Sequence, residues 1–113
     1  MINISIQQKY FDAIKSGRKT VEGRLNSTKF QNLKVAMPIT FISTTTKQQL
    51  TCIVQAIHTY PDFKAMLQSE GVQKMLPDIN NLEDAVSIYE SFPGYKEEVK
   101  KIGALAIRIT LID

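Results

Sequence analysis

The run Gly17-Arg18-Lys19-Thr20-Val21-Glu22-Gly23-Arg24 gathers three ionisable side chains, Lys19, Glu22 and Arg24, within six residues. Glu22 and Arg24 are two apart, so on a strand they share one face, with Lys19 at the bend before it and free to swing over that face. In a cleft, such a Lys–Glu–Arg cluster recognises a phosphate or a base edge. Alternatively, Glu22 serves as a general base while Lys19 stabilises a developing anion. Gly23 removes a side chain in mid-strand, which permits a bulge or lets a ligand approach the backbone. A salt-bridge ladder along an exposed strand fits the same residues. If the cluster is a binding site, Glu22 sits ionised between two cations, and Glu22→Gln is expected to keep both the fold and the ligand.

Other residues carry weaker signals. His58 falls at a strand end with the parity of the apolar face, which suits a satisfied, partly buried histidine better than a catalytic one. Cys52 lies between Leu50 and Val54 and reads as a core thiol. Tyr60, Phe63, Tyr89, Phe92 and Tyr95 cluster in the second half, as core, cleft wall or a platform for stacked bases. Ser43-Thr44-Thr45-Thr46 fits a polar hairpin tip or a phosphate contact. There is no Walker loop, Rossmann glycine pattern or Ser/Cys–His triad. One Cys and one His cannot furnish a four-ligand zinc site, and no cofactor is expected.

These residues must be positioned by elements that the patterning supplies. Ile2, Ile4 and Ile6 alternate with polar residues over 1–6, a strand. From Gln7 the period becomes helical, with Tyr10, Ala13 and Ile14 on one stripe and Phe11 adjoining, until Gly17 closes the helix in a left-handed conformation. Residues 20–25 form a second strand, with Val21 and Leu25 on one side and Thr20, Glu22 and Arg24 on the other. Residues 26–34 form a loop with Phe30 and Leu33 tucked inward. Strands follow over 39–43 and 50–59, the second with Leu50, Cys52, Val54 and Ala56 on its apolar face. Asp62 opens a helix with Phe63, Met66 and Leu67 buried, ending near Gly71. Asn81 caps another that presents Leu82, Ala85, Val86 and Tyr89, broken by Phe92-Pro93-Gly94. A short helical stretch carries Tyr95, Val99 and Ile102. The nearly uniform apolar run 104–112 closes the chain as a central, two-sided strand. The order β-α-β-β-β-α-α-β is too irregular for a doubly wound parallel sheet. It fits an α+β fold around a small, mostly antiparallel barrel or strongly curved sheet.

At 113 residues, with ordinary apolar content, the chain suits a single domain over 1–113 with a genuine core. It holds no apolar run of the roughly 18 residues a membrane helix needs. The lone cysteine suggests a reducing, cytoplasmic setting. Net charge is +3, but unevenly spread. Residues 1–58 hold eight Lys/Arg against Asp12 and Glu22, for +6; residues 59–113 hold six against nine Asp/Glu, for −3. The asymmetry points to an anionic partner on the N-terminal half, or to a scattered, solvated surface.

The run from Tyr10-Phe11-Asp12-Ala13-Ile14-Lys15-Ser16-Gly17 into the ionisable cluster resembles the signature of the ASCH domain family, a branch of the PUA-like superfamily. Its pattern Gly-x-Lys-x-x-Glu-x-Arg is matched by Gly17, Lys19, Glu22 and Arg24. Tyr60-Pro61-Asp62-Phe63, Leu76-Pro77, Ile88-Tyr89 and Gly103-Ala104-Leu105-Ala106-Ile107 also fit, so the likeness spans essentially the whole chain. It implies a PUA-like β-barrel with flanking helices, and a cleft that binds RNA or a modified nucleoside through Gly17, Lys19, Glu22, Arg24 and Tyr10. Val35-Ala36-Met37-Pro38 departs from the Gly-Asp pair that similar proteins usually carry, and Pro38 lacks an N–H, so that turn is built differently. Some small ASCH-like proteins are amidohydrolases acting on N4-acetylcytidine through a Thr, Lys and Glu. Here the Lys falls on Lys19, but the Thr position falls on Glu22, and Thr20 is displaced by two residues. As an enzyme the chain would be such a hydrolase, with Lys19 and Glu22 catalytic, or a ribonuclease using Lys19, Tyr10 and Ser43. A protein-interaction module on the same barrel is a plainer alternative. The expected state is a monomer.

Overall fold

Alternating isoleucines build β1 (Ile2–Ile6), whose Ile4 and Ile6 are buried. The computed structural model describes residues 2–112; Met1, at the start of the expected first strand, and Asp113, at the end of the expected domain, lie outside the described residues. The helix α1 (Gln8–Lys15) buries Phe11, Ala13 and Ile14, and Gly17 ends it at φ +82°. The ionisable motif then enters β2 (Val21–Leu25). A 3₁₀ turn, Thr28–Phe30, carries Phe30 into the core, and Leu33 follows it. β3 (Pro38–Ser43) and β4 (Gln49–Tyr60) form a hairpin. Four helices come next: α2 (Phe63–Glu70), α3 (Val72–Met75), α4 (Leu82–Ser91) and α5 (Tyr95–Ile102). Asp62 and Asn81 cap α2 and α4, accepting from the N–H groups of Ala65 and Asp84. The single-turn α3 has too few residues to declare a period and is absent from the sequence reading. β5 (Ala104–Leu111) ends the described chain.

The strands lie in the order β1-β3-β4-β5-β2, with β1 parallel to β3 and the other three pairings antiparallel. The sheet curls into a five-stranded half-barrel with flanking helices, a PUA-like α+β fold, open between β1 and β2. Its concave side holds one core, with Ile4, Phe11, Ile39, Phe41, Leu50 and Ile107 among its members. The convex side packs Val21, Ala104 and Ala106 against Phe63, Met66, Leu67 and Tyr89 of the helices. β5 feeds both cores, as its two-sided composition requires, and its alanines let the helices approach closely.

One correction concerns β4. The register shifts between Val54 and Ala56, so Gln55 is an extra residue and the alternation inverts beyond it. Leu50, Cys52 and Val54 remain on the concave face, and Cys52 is a buried thiol. Ile57 takes the place in that core expected of Ala56, and His58 turns to the helix side. The turn before β3 runs through a left-handed residue. Ala36 adopts φ +77°, its N–H bonds Val54 O at 2.8 Å, and Val54 N–H bonds Met37 O at 2.9 Å, so the missing donor of Pro38 is not needed.

Candidate functional site

Past the left-handed Gly17, the N–H groups of Arg18 and Lys19 both bond Ala13 O, at 2.9 and 3.0 Å, folding the chain back over the end of α1. This directs the Lys19 side chain inward, where it is only 2% exposed. Nζ donates to Val21 O at 2.9 Å and to Met75 O at 2.6 Å, and lies 3.2 Å from Glu22 Oε1. An ammonium has three N–H groups, and these three partners use them. Lys19 is therefore fixed rather than free to swing, with the Tyr10 ring centroid 5.5 Å from Nζ.

Glu22 is its counterpart. Oε1 faces Lys19, and Oε2 accepts from Arg24 Nε at 2.9 Å. Burial pushes this carboxyl upward, but the charges and hydrogen bonds of Lys19 and Arg24 outweigh that and hold it below the usual carboxylate range. Burial also lowers Lys19, opposed by the Glu22 charge. Glu22 is set between two cations at 5% exposure and is the one carboxylate paired with them among the described residues, a geometry that argues for a destabilised Glu22→Gln rather than the intact fold expected.

Arg24 is more open, its side chain 22% exposed. Nη2 donates to Ser5 O at 3.1 Å. With Nε and one Nη2 hydrogen engaged, three of the five guanidinium N–H groups have no partner among the described residues.

These side chains border a cleft of about 180 Å³ at the open edge between β1 and β2. Ser5 and Tyr10 lie on one side, Lys19, Glu22, Gly23 and Arg24 form the floor, and Tyr89, Phe92 and Tyr95 supply an aromatic wall. The wall is braced from behind: Phe63 stacks on Tyr89 and Tyr95 at 5.2 and 5.7 Å, and Phe92 meets both edge-on. Burial raises the Tyr89 phenol well above its ordinary value, so it keeps its proton. Its hydroxyl has no hydrogen-bond partner among the described residues and is not sealed off, so it opens on the cleft.

Tyr10, Lys19, Glu22 and Arg24 of the expected set thus meet in one concavity. Gly17 does not line it; its role is the turn that delivers Lys19. Ser43 and the hairpin threonines are elsewhere: Ser43 Oγ donates to Gln8 Oε1, which also accepts from Thr46 Oγ1 at 3.0 Å. Gly23 introduces no bulge, since β2 pairs with β5 in unbroken register. It makes room instead for Tyr89 Oη, Met75 Cε and Met66 Cε, which would lie 2.6 to 2.9 Å from an added Cβ.

A second ionic group escaped the sequence reading. Glu70, with a fully buried side chain, accepts from Arg108 Nε at 2.8 Å, from Tyr60 Oη, and pairs with His58 Nδ1 at 3.0 Å. Burial raises this carboxyl, but the three donors bring it below the ordinary range. His58 is thus the satisfied, half-exposed histidine expected, on the face the bulge selects. The signal was present: Glu70 sits seven residues after Phe63, a charge on the apolar stripe of α2.

The ASCH domain family model matches residues 4–113, and the chain belongs to that family. Among solved structures it is similar to the hypothetical protein PH0355, at 34% identity over 97% of each chain, with a TM-score of 0.87. It is also similar to protein PF0455 from Pyrococcus furiosus, at 30% identity over 99% of this chain and 97% of that one, with a TM-score of 0.79. The ASCH protein of Zymomonas mobilis shares the fold at 20% identity and a TM-score of 0.63; the match takes in 98% of this chain and 66% of that one. No curated protein matches the chain.

Proposed function

We propose that the chain binds RNA or a modified nucleoside, taking a base into the cleft against Tyr89, Phe92 and Tyr95. The observation that carries this reading is the placement of Arg24. Its three uncommitted N–H groups border an aromatic-walled cavity, beside an ionised carboxylate that can accept from a base amino group. The cavity is smaller than the roughly 300–1,000 Å³ typical of drug-sized ligands, which suits one flat ring. The lone buried thiol is consistent with a cytoplasmic partner.

A hydrolase acting on N4-acetylcytidine-like nucleosides, or a ribonuclease, draws less support. Glu22 has both oxygens engaged and its basicity depressed, and Lys19 has no N–H left for an oxyanion. Incubation with N4-acetylcytidine, comparing wild type with Lys19→Ala under conditions where both are folded, tests that alternative; turnover by wild type and none by the folded variant would favour it.

The binding reading is tested by fluorescence anisotropy of short single-stranded RNAs and by calorimetric titration with nucleosides. Binding to RNA should weaken as salt rises, because phosphate contacts release counterions. Arg24→Met should weaken it further at every salt concentration. No binding to any oligonucleotide or nucleoside would overturn the proposal.

A further inference from the structure

The main chain of Gly23 is the one part of the cleft floor whose donor and acceptor are both unspent, and its direction follows from the ladder. Ile109 N–H bonds Thr20 O and Asn26 N–H bonds Gly103 O. Even-numbered residues of β2 therefore direct their backbone groups to β5, and Val21, Gly23 and Leu25 direct theirs to the free edge. The neighbours agree. Val21 O is taken by Lys19 Nζ and Leu25 O by Ser27 N–H, both from outside the sheet. Only Gly23, between them, has neither its N–H nor its C=O bonded among the described residues, and it borders the cleft. The Tyr89 hydroxyl of the aromatic wall, which opens on the same cleft, is also without a partner among the described residues. The backbone groups of a buried residue such as Gly23 are ordinarily satisfied, so their direction marks where a ligand's complementary atoms belong.

We infer that the cleft reads its ligand through the backbone of Gly23, whose N–H and C=O pair with an adjacent acceptor and donor on the hydrogen-bonding edge of a nucleobase. The inference rests on the nucleoside-binding reading above and specifies it. The ligand class is a base presented edge-on, from a free nucleoside or an unpaired position in RNA, rather than one held by its phosphates. An extended residue offers its N–H and C=O side by side, the spacing of the donor–acceptor pair on a base edge. Glycine suits this position because any side chain there would strike Tyr89 Oη at 2.6 Å, displacing the wall from the floor.

The test uses the intact protein and the nucleosides adenosine, guanosine, cytidine and uridine. For adenosine and cytidine, where they bind, affinity is compared with that of the neutral 1-deaza and 3-deaza analogues, in which a C–H replaces the ring nitrogen of the edge. Guanosine and uridine, whose edge carries a ring N–H, are compared with 1-methylguanosine and 3-methyluridine, read in the same way. The 2′-O-methyl nucleoside is the control. We expect at least tenfold weaker binding of the deaza or methylated base and near-normal binding of the control. In parallel, labelling with [¹⁵N]glycine gives resonances from the five glycines, of which Gly23 alone borders the cleft. Its amide should shift and gain exchange protection on binding, while the other four stay in place. A deaza or methylated base that binds as well as its parent, or a Gly23 amide that does not move, overturns the inference while leaving nucleoside binding intact. If RNA binds but no nucleoside does, the glycine spectrum is read with RNA instead, and a Gly23 amide that does not move on RNA binding overturns this inference. If neither binds, it falls together with the binding reading.

Discussion

Arg24 on β2 and Ser5 on β1 join the two outer strands of the open sheet through a single hydrogen bond, Nη2 to carbonyl oxygen, of 3.1 Å. Among the described residues no backbone ladder crosses that edge, so the guanidinium is both clasp and cleft border. Its Nε simultaneously fixes Glu22. The geometry of a planar fork lets one side chain do both, which an ammonium cannot reproduce.

Arg24→Lys should therefore keep the charge but lose one of the two bonds. A loss of roughly 1.5–3 kcal/mol is expected in urea unfolding, the range for hydrogen bonds to charged groups. RNA affinity should fall as well, read by anisotropy under conditions where the variant is folded.

Lys19→Met and Glu22→Gln should both be severely destabilised, by about 3–5 kcal/mol each, because either leaves a buried charge without its partner. Calorimetric unfolding of the single and double variants checks this. The double substitution should be less harmful than the sum, since it removes both members of the pair.

Acid should weaken the fold through Glu70. Its folded carboxyl is depressed, so the unfolded chain binds the proton first as pH falls. The contribution is complete above the ordinary carboxylate value and is lost as pH drops through the folded one. Urea midpoints measured downward from about pH 5 should fall in wild type and fall less steeply in Glu70→Gln.

Gly23→Ala is expected to cost about 1–3 kcal/mol by overpacking against Tyr89 Oη and the two methionine tips. Tyr89→Phe removes the nearest obstructing atom. In the double variant the loss should be smaller than the two single losses combined, measured by denaturant unfolding.

Ala36→Gly should stabilise the protein by about 0.5–1 kcal/mol. Alanine at φ +77° bears a left-handed penalty of roughly 1–2 kcal/mol, partly offset by the greater unfolded freedom of glycine. A raised thermal midpoint is the readout.

Local pattern was enough to place the strands and the four longer helices. Ile2-Ile4-Ile6, the stripe Phe63-Met66-Leu67 and the caps Asp62 and Asn81 each specify an element from a few neighbouring residues. Spacing also placed Glu22 and Arg24 on one face, and Gly17 at the turn before them, because strand alternation and a left-handed stop are local properties. The β4 bulge was not legible, since nothing in Val54-Gln55-Ala56 distinguishes a continuous strand from one holding an extra residue. Its consequence is long-range: it alone turns His58 toward Glu70.

The identity of the ionisable cluster was thus determined by sequence, and its chemistry by tertiary structure. Lys19, Glu22 and Arg24 are visible as a charged run. Only folding brings Met75 O, 56 residues further on, against the Lys19 ammonium, and Ser5 O against Arg24. Those contacts decide that Lys19 is spent on the protein's own carbonyls while Arg24 keeps donors for a ligand. They depend on where a short, aperiodic helix and an edge strand come to rest. Charge and periodicity report what a residue can do, whereas its remaining hydrogen-bonding capacity depends on every group that packs against it.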